Sequence, residues 1–282
     1  MAAADLRDAG VEAVLAGGEW IDLSVVVSAR HPTWPLHMGF QRTVWNWYEP
    51  PPRPGVHWRS DAPYHTAWWV IDEHTGTHFD APSHFIPPPS TQSPLPDASR
   101  AGEITGDLVD LGKLRGPACV VDVRDLVGQA EPGVSPEIGW DRIEGFESAH
   151  GELEAGDVVL FWSGWDERYR VGSDGDPYAR DVVDQKAPGW PCPAPDVIVR
   201  LHGRGINTLG TDGCSIGSAE DGRPGHVAGL SREMAYVESL TQLGRLPARG
   251  AYFLFLPVKV EGSSGAPGRA VAFIPSDLTR ER

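Results

Sequence analysis

One short segment, from His74 to His84, carries most of the chemistry that this chain could perform. It has the sequence HTGTHFDAPSH and holds three histidines and one aspartate. Imidazole nitrogen and carboxylate oxygen together suit Zn, Mn or Fe(II). A catalytic metal site typically takes three protein ligands and leaves the remaining positions for water and substrate. The segment therefore predicts a catalytic metal centre.

The backbone of this segment decides which side chains converge. Gly76 lies between two β-branched threonines and Pro82 follows closely, a pattern that disfavours a helix and favours a strand. Alternate side chains of a strand share a face, so His74, His78 and Asp80 are expected on one side. Gly76 would lie between them and leave the space where an ion could sit. We therefore predict these three residues as metal ligands.

The end of the predicted strand places a further histidine beside the ligands. Pro82 cannot donate a hydrogen bond to a sheet, so the strand should end or bulge there. His84 then follows directly after the ligands, where a proton-transferring base would be useful. The remaining candidates have no spacing argument and are interpreted as surface or structural histidines: His31, His37, His57, His65, His150 and His202.

A competing catalytic motif lies at residues 213–217, where GCSIG matches G-x-S-x-G. The nucleophile elbow of α/β-hydrolases needs a strand before the serine and a helix straight after it. The strand-like INTLG (206–210) is present, but a loop sequence follows Ser215. A serine hydrolase acting through Ser215 remains a lesser alternative, which loss of activity with retained metal in Ser215→Ala would favour.

Composition limits the classes of partner. The chain has 282 residues, 40% hydrophobic and 22% charged, which is ordinary for a globular protein with a sizeable core. Its net charge of -15 repels phosphate backbones, so we expect no nucleic-acid partner. No apolar run approaches the ~20 residues of a membrane span, and the N-terminus lacks the apolar core of a signal peptide. Three widely spaced cysteines fit a reducing compartment. We predict a cytoplasmic protein with no membrane partner.

The elements that must position the motif alternate between strand and helix patterns. Residues 6–18 have the pattern of a short helix, which predicts an N-terminal helical extension over 1–20 and one domain over 21–282. Strands are predicted at 21–28, 66–72, 118–123, 157–162, 206–210, 252–260 and 270–275, and helices at 139–149, 195–203 and 229–243. This order predicts a single α/β (α+β) domain with a mostly β core.

A Pro- and Trp-rich stretch from Pro32 to about Pro63 cannot form a regular helix. Its aromatic residues argue against a flexible linker and favour an ordered excursion that packs or lines a pocket. Apart from Trp34, the tryptophans from Trp20 to Trp69 are interpreted mainly as core residues, with some of them facing a flat organic substrate. Residues 87–94, PPPSTQSP, are predicted to form a loop.

The motif resembles a known family. HTGTHFDAPSH matches the H-x-G-T-H-x-D-x-P-x-H signature of the cyclase superfamily, which includes bacterial kynurenine formamidases and isatin hydrolases. The resemblance continues through much of the chain from about residue 21. Further matching segments are IDLSVVVS with the following PTWP, GDVVLFWSGWDERY (156–169), INTLGTDGCSIG, residues 225–243 and the closing ARGAYFLFLPVKVEGSSGAPGRAVAFIP.

The resemblance implies roles for individual residues. His74, His78 and Asp80 would be metal ligands, and His84 the general acid/base. His226 and Glu238 would complete a second metal position bridged by the aspartate, as in some members. Trp34 matches a residue bordering the substrate pocket. Independently of the resemblance, we predict that Asp212 and Ser215 either orient the substrate or a neighbouring group or stabilise their loop. The resemblance also implies one or two Mn²⁺ or Zn²⁺ ions, a swivelling β/β/α-type fold and a homodimer or homotetramer.

We therefore expect a metal-dependent hydrolase that opens an amide or cyclic amide, such as a lactam or an isatin-like ring. A metal-activated water would attack the carbonyl, and His84 would transfer the proton. Kynurenine formamidases of this group are usually shorter than this chain, and the Trp-rich excursion at 36–66 favours a bulkier, aromatic small molecule. The alternatives are an arylformamidase acting on N-formylkynurenine and a biosynthetic cyclase or dehydratase. The rival classes are an Fe(II) oxygenase and a binding protein with a structural metal.

Overall fold

The computed structural model describes residues 17–48, 64–91 and 95–275. Almost all of the helix expected at 6–18 lies outside the described residues. The same holds for the middle of the Trp-rich stretch and for part of the loop predicted at 87–94.

The described residues form strands and helices in the following order. The strands are β1 (Glu19–Asp22), β2 (Gln41–Trp47), β3 (His65–Val70), β4 (His78–Asp80), β5 (Arg115–Asp122), β6 (Glu137–Ile138), β7 (Val158–Trp162), β8 (Cys192–Pro193), β9 (Thr208–Thr211), β10 (Ala235–Glu238), β11 (Tyr252–Pro257) and β12 (Gly265–Ile274). The helices are α1 (Trp140–His150), α2 (Arg180–Val183), α3 (Pro195–Gly203) and α4 (Arg223–Leu230).

Seven strands close into a barrel. Their order is β12-β11-β5-β7-β9-β10-β4, and β4 pairs back with β12, while β1 lies along the other part of β12. The pairs β5–β7, β7–β9 and β9–β10 are parallel, and the remaining barrel pairs are antiparallel. The predicted single α/β domain with a mostly β core is confirmed. The swivelling arrangement stays a prediction.

The apolar sequences of β5 and β7 explain why both faces of these strands are covered. Val120 and Leu160 belong to one buried cluster, which fills the barrel. Val121 and Phe161 belong to a second cluster that includes Phe146 of α1 and residues of α3. Parallel strands buried on both faces have near-continuous apolar sequences, as these do. The helices therefore cover the outside of the barrel.

Most predicted elements are confirmed, and one helix is wrong. The helices at 139–149 and 195–203 match α1 and α3, and the strands at 118–123 and 157–162 match β5 and β7. The helix expected at 229–243 does not form: α4 ends at Leu230 and β10 begins at Ala235. All four residues of β10 are buried between β9 and β4, because pairing on both sides outweighs the helical pattern of the sequence. The strand predicted at 21–28 is confined to β1 and one bridge at Ser24.

The tryptophans predicted to lie in the core are exposed wherever their side chains are described. Their exposed fractions are 53% for Trp20, 41% for Trp45, 55% for Trp68 and 65% for Trp69. Three of them lie on the antiparallel hairpin of β2 and β3, which is separate from the barrel sheet. For these three, the prediction was wrong because a two-stranded hairpin outside the barrel cannot bury both of its faces. Trp47 and Trp58 have no described side chain.

Among the described residues, no helix combines the length and apolar character needed to cross a membrane.

Candidate metal centre and active site

The segment from His74 to Asp80 is a turn that leads into a short strand. Strand β4 begins only at His78, so the prediction of one continuous strand was wrong. Gly76 has a φ of +65°, which takes the backbone out of the extended conformation. A Cβ on Gly76 would lie 2.5 Å from Cγ2 of Val27, so the glycine permits close contact with Val27 and does not open a space for an ion.

Thr77 anchors this turn to its neighbours. Its hydroxyl donates to the carbonyl oxygen of Ser239 at 2.6 Å and accepts from the Val25 amide at 2.9 Å. In β4, Phe79 packs into the barrel core, and the side chains on either side of it point to the opposite face. The alternation predicted from the sequence is therefore confirmed for His78 and Asp80.

Asp80 lies at the centre of a buried cluster of histidines. Its Oδ1 is 2.8 Å from Nδ1 of His74 and 3.5 Å from Nε2 of His78. Its Oδ2 is 3.4 Å from Nε2 of His226. Two groups could each hold a metal ion, because their donor atoms lie within 4.8 Å of one another: His74, His78 and Asp80, and Asp80, His84 and His226. Asp80 is common to both groups.

Glu238 reaches the cluster through the sheet register. In the antiparallel pairing of β10 with β4, Glu238 lies directly opposite His78. Its Oε2 is 3.5 Å from Nε2 of His78, and its Oε1 is 3.5 Å from Nε2 of His226. The Ile216 amide donates to Oε1 at 2.7 Å and holds the carboxylate in place.

Hydrogen bonds to the outer ring nitrogens orient two of the imidazoles. Nδ1 of His78 donates to the carbonyl oxygen of Gly76 at 2.7 Å, and Nδ1 of His226 donates to that of Gly222 at 2.6 Å. Each Nε2 is therefore directed at the carboxylates. Metal-binding histidines commonly donate their other nitrogen to a carbonyl or carboxylate in this way.

His74 is oriented by a chain of two further residues. The Ser264 hydroxyl lies 2.7 Å from Oε2 of Glu73 and donates to this acceptor-only group. It then accepts from Nε2 of His74 at 3.0 Å, which leaves Nδ1 facing Asp80. Gly265 makes room for this ring, because a Cβ there would lie 2.7 Å from Cε1 of His74.

Strand β4 ends before Pro82, as predicted, and His84 follows in a 3₁₀ turn at Pro82–His84. Its imidazole stacks on that of His74 with ring centroids 3.8 Å apart. Burial lowers the pKa of His84 to about 4, so the ring is neutral at neutral pH and able to accept a proton.

The charges of the cluster fit a divalent cation. Burial opposes protonation of His78 and His226, but hydrogen bonds with Asp80 and Glu238 outweigh it and raise the pKa of both histidines to about 10. Burial also opposes ionisation of Asp80, yet the surrounding histidines hold its pKa well below the usual range. Among the described residues, Oδ2 of Asp80 is buried and has only a long contact, 3.4 Å from Nε2 of His226. A cation here would pair with that oxygen and replace the histidine protons.

A cavity of about 350 Å³ opens above the histidines. Its walls carry the aromatic side chains of Trp34, Phe85, Tyr169, Tyr178 and Trp190. The predicted pocket residue Trp34 packs edge-on against Trp190, with ring centroids 6.1 Å apart. The size and the lining suit a flat organic molecule.

Ser215 borders the cavity, but its surroundings do not form a nucleophile elbow. Its hydroxyl donates to Oε1 of Glu238 at 3.1 Å, and the next helix, α4, begins only at Arg223. The nearby His226 directs its far nitrogen at the Gly222 carbonyl, where a serine hydrolase would need a carboxylate.

Asp212 is separated from the cavity. Its carboxylate is fully buried and accepts hydrogen bonds from the backbone amides of Ser163 at 3.0 Å and Gly164 at 2.6 Å. It ties the end of β7 to the end of β9. The structure therefore does not bring Asp212 to the substrate side, unlike Trp34 and Ser215.

Some cavity residues were not predicted from the sequence. His37 was interpreted as structural, yet it lines the cavity with Nδ1 3.3 Å from Oδ1 of Asp72. Tyr169, Trp190 and Cys214 also line it. The aromatic run GWDERY could have drawn attention to Tyr169. Trp190 carries no local sequence signal, because packing alone brings it to the site.

Comparison with known proteins identifies the family. The Cyclase family profile matches residues 21–218. The chain is 34% identical over 225 residues to the isatin hydrolase of Roseibium aggregatum. These aligned residues make up 77% of this chain and 78% of that protein. The chain belongs to the Cyclase family.

Two further relatives support this membership. The kynurenine formamidase of Salinibacter ruber is 29% identical over 253 residues, covering 89% of this chain and 95% of that protein. A crystal structure of an isatin hydrolase bound to the product analogue thioisatinate has a TM-score of 0.75 at 26% identity, covering 98% of this chain and all of that one. The resemblance stated from the sequence motif is confirmed.

Proposed function

We propose that this protein is a metal-dependent hydrolase that opens an amide or cyclic amide bond. The observation that carries the proposal is the group of His74, His78 and Asp80, whose donor atoms lie close enough to hold one metal ion beneath an aromatic-lined cavity. Its relatives named isatin hydrolase and kynurenine formamidase support the same type of reaction.

The ligand roles follow from the donor geometry. His74, His78 and Asp80 would hold a divalent cation, Mn²⁺ or Zn²⁺, through nitrogen and carboxylate donors. His226 and Glu238 would complete a second position with Asp80 as the bridge. This second position is supported by the contacts of His226, whose Nε2 lies 3.4 Å from Asp80 and 3.5 Å from Glu238.

The chemistry is shared between the cation and the protein. A bound divalent cation supplies Lewis-acid catalysis, polarising a carbonyl and lowering the pKa of water. The neutral imidazole of His84 accepts the proton of the attacking water and then donates it to the departing nitrogen. Trp34 and Trp190 hold a flat ring against the cavity wall and exclude bulk water from it.

We favour a cyclic amide of the isatin class as substrate, since aromatic side chains line the cavity. N-formylkynurenine is the second candidate, favoured by the relatives named kynurenine formamidase. Ring closure or dehydration at the same site is the biosynthetic alternative. We further propose that the protein is cytoplasmic and forms a homodimer or homotetramer.

The proposal is tested by removing and restoring the metal. Purified protein is stripped with a chelator, reloaded with Mn²⁺ or Zn²⁺, and assayed anaerobically on isatin, N-formylkynurenine and a simple lactam. We expect isatin hydrolysis to be lost on stripping and restored on reloading. Turnover of N-formylkynurenine alone would favour the second candidate, and a requirement for oxygen would favour an oxygenase. Hydrolysis of none of the three would contradict the proposal.

A further inference from the structure

The hydroxyl of Tyr169 is a polar group buried at the cavity wall. Its oxygen is shielded from solvent and has no hydrogen-bond partner among residues 17–48, 64–91 and 95–275. Buried polar groups almost always have a partner, so each exception requires an explanation. A bound polar ligand would supply the missing partner and is one such explanation.

The ring of Tyr169 is held in a fixed direction. It stacks on His31 with centroids 5.2 Å apart and an interplanar angle of 12°. It also meets the edge of Tyr178 at 5.1 Å. The residue directly follows the short 3₁₀ turn Trp165–Arg168, where its backbone amide donates to the Asp166 carbonyl at 2.9 Å. The hydroxyl therefore cannot reach another partner by a simple rotation of the ring.

The hydroxyl lies against the turn that carries two of the proposed metal ligands. Tyr169 and Gly76 line the same cavity, and the Tyr169 oxygen is 3.8 Å from the point where a Cβ on Gly76 would lie. Gly76 is part of the turn between His74 and His78. A flat molecule that fills the cavity beside this turn would therefore pack against Tyr169.

Two neighbouring polar groups of the cavity wall are already engaged. The Tyr178 hydroxyl donates to Oγ of Ser239 at 2.9 Å, and the indole nitrogen of Trp190 donates to the Gly217 carbonyl at 3.0 Å. Burial raises the pKa of the Tyr169 hydroxyl above its ordinary value, so it remains protonated and available as a donor.

We propose that Tyr169 is a substrate-binding residue whose hydroxyl donates a hydrogen bond to an oxygen acceptor of the bound molecule. The ligand class is a flat ring that carries a carbonyl or carboxylate oxygen next to the bond that is hydrolysed. The identity of the reaction in this inference rests on the proposed function. The binding role of Tyr169 is supported by its buried, unpaired hydroxyl, whichever reaction the site performs. A site with a dedicated donor discriminates against analogues that lack the acceptor.

The test is Tyr169→Phe in the full-length, metal-loaded protein, because this change removes only the hydroxyl. The change removes no hydrogen bond to a described residue, so we expect the melting temperature and the metal content to match the wild type. We expect kcat/KM for isatin to fall about tenfold, the value of one hydrogen bond. The matched variant Tyr178→Phe removes the bond to Ser239 and should lower the melting temperature.

A binding measurement separates this inference from the proposed reaction. Quenching of tryptophan fluorescence reports binding of 2-aminobenzoate and of aniline, which lacks the acceptor oxygen. Tyr169→Phe should weaken binding of 2-aminobenzoate about tenfold and leave that of aniline unchanged. Unchanged binding of 2-aminobenzoate, or a fall in melting temperature with normal kinetics, would overturn the role of Tyr169. If the wild type hydrolyses no amide, the proposed function fails. The binding of 2-aminobenzoate to the wild type and to Tyr169→Phe then still decides whether Tyr169 binds the ligand.

Discussion

His84 is the residue whose proposed role differs most from that of its neighbours. It lies in the cluster and stacks on His74, but its pKa is lowered to about 4, whereas that of His78 is raised to about 10. A neutral histidine beside a charged cluster is suited to proton transfer.

We therefore expect His84→Ala to keep its metal and to lose turnover by ~10²–10⁴. Metal content by elemental analysis and kcat for isatin are measured on the same preparation. A variant that hydrolyses isatin at the wild-type rate would remove His84 from the mechanism.

The raised pKa of His78 and His226 predicts that metal binding depends on pH. Both are protonated at neutral pH in the metal-free protein, since their pKa is about 10. This protonation stabilises the metal-free fold below the ordinary histidine pKa of 6.5, and the contribution is lost as pH rises through about 10. A cation must displace these protons, so its affinity should rise with pH across the neutral range.

Calorimetry of metal binding at pH 7, in two buffers with different ionisation enthalpies, measures the protons released. We expect about one from each of the two histidines. Binding without any net proton release would contradict the assignment of these nitrogens as ligands.

At the residue scale, the sequence predicted the site residues that lie close together in the chain and missed those that lie far apart in it. The donors of residues 74–84 are recognisable because their types and spacing stand together in a few residues. His226 and Glu238 were implied only by the family resemblance, since sheet pairing and a helix bring them in from far along the chain. The run GWDERY could have drawn attention to Tyr169, but a sequence does not show that its hydroxyl is buried without a partner among the described residues.

Among the elements, the junction of β4 with β12 positions the site. Gly265 of β12 lies opposite Asp80, and a Cβ there would approach the Phe79 carbonyl oxygen to 2.3 Å and Cε1 of His74 to 2.7 Å. Backbone cannot yield as a flexible side chain can, so the strand pair or the imidazole must move.

Gly265→Ala should therefore lower the free energy of unfolding by about 1–3 kcal/mol and weaken metal binding. The matched control is Gly145→Ala in α1, where a Cβ would meet nothing within 4 Å and should stabilise the helix by up to about 1 kcal/mol. Denaturant unfolding and metal titration measure both effects. Wild-type stability and metal affinity in Gly265→Ala would show that this close contact is unimportant.

The elements differ in how well their sequence determines them. Helix α1 and strands β5 and β7 are predictable because apolar periodicity and length agree with their final burial. Strand β10 was mistaken for helix because its four residues are stabilised by β9 and β4, which lie far away in sequence. Closure of the barrel depends on the pairing of β4 with β12, a contact that no local pattern indicates.

At the scale of the whole molecule, the aromatic hairpin of β2 and β3 exposes several large apolar side chains. Trp45 and Trp68 pack edge-on at 5.8 Å, and these rings and Trp69 remain substantially exposed. Large exposed apolar patches usually mark an interaction surface. We expect this hairpin to contact a second copy of the chain, in line with the homo-oligomer that the family resemblance implies.

Replacing Trp68 and Trp69 by serine together should then reduce the molecular mass measured by light scattering in solution. Leu108→Ser serves as a control, because Leu108 is also exposed but lies outside the hairpin. An unchanged mass in the double variant would show that another surface holds the subunits together, and a monomeric wild type would contradict the expected oligomer.

The central claim is that His74, His78 and Asp80 hold a divalent metal ion that hydrolysis requires. The most direct measurement is the metal content and isatin turnover of His78→Ala, with His202→Ala on α3 as the control outside the cavity. We predict that His78→Ala loses both its bound metal and its activity, while His202→Ala keeps both. Stoichiometric metal with full activity in His78→Ala would contradict the claim.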